Sequence, residues 1–191
     1  MNEQAVTLRG GKAITLKVDP KTQWGKRYVC GPEFNLFDRA STIEASLEKT
    51  PLRKKGGEWK EVNDEKITLP VNLIEDYYLM QTVESPKAQD ILLDVAAGNA
   101  IELFVNGVSV MKHLNPYRCT YREEKVLVHL EKGTNVIVLR AYNRFEKETS
   151  LLLRPSAEQV IYKQNVTLDA PADRVKVRRT GLATQHADTE L

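Results

Sequence analysis

Apolar residues recur at every second position in this chain, and that period constrains its fold more than any other feature. Ile91, Leu93, Val95 and Ala97 alternate with Leu92, Asp94 and Ala96; Ile101, Leu103 and Val105 alternate with Glu102, Phe104 and Asn106. Successive side chains of a strand point to opposite faces, so such runs read as β-strands. Gly98-Asn99 separates the two runs, and Asn106-Gly107 separates the second from Val108-Ser109-Val110. Both pairs tolerate the positive φ of a tight hairpin turn. The pattern therefore predicts a three-stranded meander from Ile91 to Met111.

Similar runs flank the meander. Ala13 to Val18, Thr42 to Leu47, Ile67 to Val71 and Tyr77 to Glu84 precede it. Lys125 to Leu130, Asn135 to Tyr142, Ser150 to Leu153, Val160 to Leu168 and Arg174 to Arg178 follow it. Val136, Ile137, Val138 and Leu139 are apolar on both alternating sets, as in a central strand covered on both faces. Glu131-Lys132-Gly133-Thr134 has turn chemistry. No segment reads as a long helix, although Phe34 to Leu47 has room for one short turn. Many short strands with frequent turn signals predict an all-β, two-sheet sandwich. Three regions follow: residues 1–60, strands and loops packing on or completing the sandwich; 61–155, its core; and 156–191, further strands and a frayed or truncated tail.

Charge and hydropathy exclude several function classes. Lys plus Arg number 28 against 26 Asp plus Glu, a net charge of +2 that provides no general field for nucleic acid. Apolar runs are far shorter than the ~20 residues of a membrane span. Met1 to Val6 shows no basic region leading into an apolar stretch, so no secretion signal is read there. Cys30 and Cys119 fit no zinc or redox spacing; they are read as separate thiols, with a disulfide as the alternative.

Catalytic chemistry finds little support. Glycoside hydrolysis needs two carboxylates held ~5–9.5 Å apart. Glu75-Asp76 and Glu123-Glu124 put neighbours on opposite strand faces and read as solvated strand starts. No phosphate loop, nucleophile elbow or paired-histidine motif occurs. His129 reads as a half-exposed strand residue, His186 lies in the tail, and no metal site or cofactor is implied. Thr50 to Gly57 reads as a solvated basic loop, and Trp59 as a core or edge-covering residue.

Sugar recognition asks instead for an aromatic ring under the apolar sugar face and for forked polar groups at its hydroxyl rim. Lys112 to Arg122 reads as a loop between two strands and offers His113, Asn115, Tyr117, Arg118, Tyr121 and Arg122. Trp24, Tyr28 and Glu33 form a second candidate cluster, in what reads as an early loop around Gly25 and Gly31-Pro32. Loop anchoring is the competing reading for these side chains. Arg144 and Glu146 share one strand phase, so Arg144 either pairs locally or, beside Phe145, anchors a partner.

Tyr77-Tyr78-Leu79, Ile101 to Gly107, His113, Leu130 to Asn135 and Ala141-Tyr142-Asn143 together resemble the galactose-binding-like jelly roll appended to many bacterial glycoside hydrolases. Two narrower pieces, Asn115-Pro116-Tyr117-Arg118-Cys119 and Tyr142-Asn143-Arg144-Phe145-Glu146, are similar to the non-catalytic region downstream of the barrel in Bacteroides-type α-L-fucosidases. Such an enzyme carries its carboxylates on a (β/α)₈ barrel of ~250 residues, which this chain cannot contain. The resemblance thus implies a non-catalytic accessory module that supports a glycoside hydrolase catalytic domain, in the same or a longer chain, or binds glycan weakly. Its alternatives are a self-standing carbohydrate-binding module and a structural interaction domain without a ligand. The resemblance further implies export to a bacterial periplasm or cell surface, and it makes the catalytic domain a candidate partner for the Lys112 to Arg122 side chains.

Overall fold

The computed structural model describes residues 6–9, 13–34, 58–72, 75–98, 100–114, 122–143, 147–162, 165–168, 176–177 and 189–190. Every regular element among them is a strand: β1 (Val6–Arg9), β2 (Ala13–Thr15), β3 (Gln23–Phe34), β4 (Lys60–Val62), β5 (Lys66–Pro70), β6 (Glu75–Ser85), β7 (Gln89–Ala97) and β8 (Ala100–Val105). These are followed by β9 (Val108–Leu114), β10 (Arg122–Leu130), β11 (Gly133–Asn143), β12 (Glu148–Pro155), β13 (Val160–Tyr162), β14 (Asn165–Leu168), β15 (Lys176–Val177) and β16 (Thr189–Glu190). Two sheets form the body, a six-stranded one in the order β4-β3-β6-β11-β8-β9 and a four-stranded one in the order β10-β7-β12-β5. All pairings within them are antiparallel. Short two-stranded pairs join β1 to β14, β2 to β13 and β15 to β16. From β5 to β8, and again from β9 to β12, the chain passes from sheet to sheet at each step, which makes the body a jelly-roll sandwich.

One alternating set of residues from each sheet faces the other and builds the core. Leu79, Val83, Leu103, Val105, Ile137 and Leu139 come from the six-stranded sheet, and Ile91, Leu93, Val95, Val126, Val128, Leu151 and Leu153 from the four-stranded sheet. Each such side chain, fully buried, contributes on the order of 1.5–3 kcal/mol. β11 lies between β6 and β8 and is buried on both faces from Ile137 to Asn143, as its uninterrupted apolar run predicts.

The predicted meander is corrected at its first turn. Asn106 and Gly107 have φ of 51° and 81° and join β8 to its antiparallel partner β9, as a tight hairpin requires. After Ala97 the chain instead crosses from one sheet to the other, because β7 pairs with β10 and β12 and not with β8. Alternation specifies which face a residue takes, not which strand it pairs with. β3 is a second correction: the glycine- and proline-containing stretch read as a loop is a twelve-residue strand. Register shifts between Trp24 and Arg27 and between Cys30 and Glu33 coincide with Gly25 and with Gly31-Pro32, so bulges absorb the residues that would otherwise break the ladder. The Val160 to Leu168 run is divided into β13 and β14. Thr42 to Leu47 and Thr50 to Gly57 lie outside the described residues.

Side-chain amides complete the backbone where the strands part. Asn135 is fully buried; its Oδ1 accepts from the Glu131 amide and from Asn106 Nδ2, and its Nδ2 donates to the carbonyls of Glu131 and Gly133. Asn106 Oδ1 in turn accepts from the Val136 amide, so the turns before β9 and before β11 are tied together. Beyond Pro155, where β12 leaves β7, Gln159 takes over. Its Oε1 accepts from the Leu92 amide at 2.7 Å and its Nε2 donates to the Leu92 carbonyl at 2.9 Å.

Candidate functional site

The strand ends gather one set of connections at a single end of the sandwich. Glu75 is the register partner of Asn143 and of Phe34, Ala100 that of Tyr142 and of Leu114, and Ala97 that of Arg122. Glu148 stands opposite Pro70. The connections that follow β5, β7, β9 and β11 therefore all depart from this end. A short hydrogen-bonded platform underlies it. Asn143 Nδ2 donates to the Asn72 carbonyl at 3.0 Å, Glu75 accepts from the Asn72 amide at 2.7 Å, and the Val71 amide donates to the Lys147 carbonyl at 3.0 Å. Tyr77 donates its hydroxyl to the Pro70 carbonyl at 2.6 Å. Burial, and after it the Glu75 charge, pushes the Tyr77 phenol above its ordinary pKa and keeps it a donor.

At this end His113 and Glu124 link the two sheets: His113 Nδ1 lies 2.6 Å from Glu124 Oε1. Lys112 to Leu114 and Arg122 are strand and not loop as expected: the first three end β9, and Arg122 opens β10 opposite Ala97. Asn115, Tyr117, Arg118, Tyr121, Arg144 and Cys119 lie outside the described residues. The second candidate cluster is not brought together. Trp24 packs against the inter-sheet core, whereas Tyr28 packs on the opposite face of the same sheet beside Cys30, Tyr78 and Met80. Without the bulge between them, residues four apart would share a face; the extra residue inverts the phase. Glu33 lies farther along β3, opposite Asp76 in register. Trp59 covers the Tyr28 side of the sheet.

The outer face of the six-stranded sheet holds a charged layer that the sequence reading missed. Cys30, Tyr78, Arg140, Glu102 and Lys112 are successive register partners across β3, β6, β11, β8 and β9. Arg140, 1% exposed, places both Nε and Nη2 2.7 Å from Oδ2 of the fully buried Asp76. Its Nη1 lies 3.6 Å from Glu102 Oε2. Glu102 also accepts from Ser109 at 2.7 Å and stands 3.5 Å from Lys112 Nζ. Asp76 is thus not the solvated strand start it was read as. The guanidinium fixes its carboxylate in place through two nitrogens. The available signal was a set of charges at Asp76, Glu102 and Arg140 in phase with apolar neighbours of strongly patterned strands. Among the described residues no group of three or more His, Cys, Asp or Glu side chains is placed to hold a metal ion. No helix among them is long and apolar enough to cross a membrane.

No family profile and no curated protein matches the chain. Several solved structures do. A family 35 carbohydrate-binding module from Clostridium thermocellum is similar at 12% identity over 80% of this chain and 99% of that one, with a TM-score of 0.31. A β-glucosidase from Kluyveromyces marxianus is similar at 11% identity over 82% of this chain and 20% of that one, with a TM-score of 0.40. The epithelial adhesin 9 A domain from Candida glabrata, in complex with Galb1-4GlcNAc, is similar at 11% identity over 84% of this chain and 97% of that one, with a TM-score of 0.35. Likenesses at this level assign the chain to no family.

Proposed function

We propose that this chain is a carbohydrate-binding β-sandwich module that captures glycan at the end where the 115–121 and 144–146 segments leave the sheet, without cleaving it. The observation that supports this reading is the transverse row Tyr142, Ala100 and Leu114. Two segments far apart in sequence, both rich in aromatic and arginine side chains, are rooted two strand spacings apart, roughly 10 Å. That is the scale of one or two sugar rings, which an aromatic face and an arginine fork would hold between them. The resemblance of Asn115 to Cys119 and Tyr142 to Glu146 to the fucosidase-associated region supports a finer reading. In it the module serves an α-L-fucosidase-like hydrolase in the periplasm or at the cell surface, and the catalytic domain is its partner.

Titration of the ¹⁵N-labelled chain with fucosylated and galactosylated oligosaccharides tests the binding. Shifts concentrated at Ala100, Leu114, Arg122 and Tyr142 are expected, with no release of p-nitrophenol from an aryl fucoside. Silence across a broad glycan array, or turnover by the purified chain, defeats the proposal.

A further inference from the structure

Asn106-Gly107 is the single Asn-Gly pair in the chain. An asparagine side chain closes most readily onto the backbone nitrogen of a following glycine, because a residue without Cβ leaves that nitrogen unhindered. The step needs an unshielded nitrogen, water at the site, and an asparagine amide free to turn. The first two are present: both residues form the turn between β8 and β9, where Asn106 is exposed and Gly107 half-buried. The third is withheld. Asn106 Oδ1 accepts from the Val136 amide at 2.8 Å, and its Nδ2 donates to Asn135 Oδ1 at 2.9 Å. The Asn106 backbone amide donates to the Val136 carbonyl at 2.8 Å. A side-chain amide held at both its oxygen and its nitrogen cannot swing Cγ onto the next residue without giving up both bonds. Asn135 is a fixed acceptor, since it is fully buried and its own Nδ2 is tied to the Glu131 and Gly133 carbonyls.

We infer that Asn106 is a self-modification site, deamidated with the Gly107 nitrogen as nucleophile and water as co-reactant, and that its bond to Asn135 holds the reaction in check. The Gly107 nitrogen bonds to Asn106 Cγ, the Cγ–Nδ2 bond breaks, and the proton of that nitrogen departs with Nδ2 as ammonia. Water then opens the cyclic imide, at Cγ to give aspartate or at the backbone carbonyl to give isoaspartate. No electrons are exchanged. The aspartate product sets a carboxylate oxygen against Asn135 Oδ1, acceptor against acceptor, and so unties the turn before β9 from the turn before β11. The site lies at the end of the sandwich opposite the connections that follow β5, β7, β9 and β11, and its chemistry does not depend on glycan binding.

The test holds wild type, Asn135→Ala and Gly31→Ala in warm, mildly alkaline buffer, with a further sample of wild type unfolded in urea. Mass spectrometry of the peptide that contains Asn106 follows conversion of amide to acid. Asn135→Ala is expected to convert about fivefold faster than folded wild type, the change in population that accompanies loss of one neutral hydrogen bond. Unfolded wild type should convert faster still. Gly31→Ala strains β3 at the other end of the sheet and leaves the clamp intact, so it should keep the wild-type rate. Equal acceleration in Gly31→Ala assigns the reaction to global unfolding and overturns the inference. So does an Asn135→Ala rate equal to that of wild type, or the absence of conversion at Asn106 in urea. Folded wild type converting as fast as the unfolded chain overturns it as well, and that comparison stands whatever the stability of the variants. Asn106→Asp, which carries the product's side chain, should melt below wild type; an unchanged melting temperature removes the untying of the two turns.

Discussion

Replacing Arg140 by methionine tests the buried charge layer most directly. The substitution keeps much of the side-chain volume but removes the guanidinium that lies 2.7 Å from Asp76 Oδ2 through two nitrogens. Tyr78 still reaches that oxygen at 3.3 Å, a hydrogen bond that cannot offset a full charge at a residue with no solvent exposure. Breaking one side of a buried ion pair costs about 3–5 kcal/mol. That is a large share of the roughly 5–15 kcal/mol that holds a domain together. With about 2–4 °C lost per kcal/mol in a chain of this length, the melting temperature should fall by about 6–20 °C. Urea denaturation at neutral pH measures the same loss. The informative comparison is Asp76→Leu combined with Arg140→Met, which removes both charges and leaves Glu102 with Ser109 and Lys112. Because an apolar pair of similar volume often replaces a buried ion pair without loss, the double variant should be more stable than Arg140→Met alone. A single variant within about 1 kcal/mol of wild type, or a double variant less stable than both single ones, would refute the reasoning.

Other outcomes follow from individual sites. Asn135→Ala removes a fully buried amide that accepts from the Glu131 amide and from Asn106 Nδ2; because Glu131 and Asn106 are themselves exposed, water replaces part of what is lost, and urea titration should register a loss of about 1–2 kcal/mol. Gly31→Ala places a methyl 2.7 Å from the Asp76 carbonyl oxygen at a φ of +129°, so it should cost at least about 2 kcal/mol. Gly98→Ala meets Thr149 at an ordinary 3.7 Å and should be tolerated, which makes it the control in the same thermal melts. The hydrogen bond that protonated His129 Nδ1 donates to the Asp90 carboxylate raises the His129 pKa above its ordinary value of 6.5. The stabilisation linked to that charge is present below the unfolded value and lost as pH rises through the folded one. It is small for so exposed a pair. An NMR titration should find a midpoint above 6.5 in wild type and a lower one in Asp90→Asn.

Much of the sandwich was legible in residue order. The alternation of β6, β8, β10 and β11 marked their faces, and the doubly apolar run at Val136 to Leu139 marked β11 as central. Asn106-Gly107 announced the β8–β9 hairpin through the positive φ that its residues adopt. The Ile101 to Gly107 and Leu130 to Asn135 stretches, on which the jelly-roll resemblance partly rests, meet in one hydrogen-bonded junction through Asn106 and Asn135. β3 was hidden because Gly25 and Gly31-Pro32 signal loops locally, while the bulges that accommodate them depend on the neighbouring strand β6. The bulge at Gly25 set Trp24 and Tyr28, grouped in residue order as one loop cluster, on opposite faces of β3.

Residue order alone determined that this chain forms short antiparallel strands around an apolar layer, because burial of one strand face demands a period of two. It also marked two aromatic- and arginine-rich segments as its distinctive chemistry. Only the tertiary structure decided that β7 and β8 belong to different sheets, that Arg140 meets Asp76 across the ladder, and that Leu114 and Tyr142 stand in one row. Pairing is selected by the fit of whole sheets against each other, and that competition leaves no mark in the order of neighbouring residues.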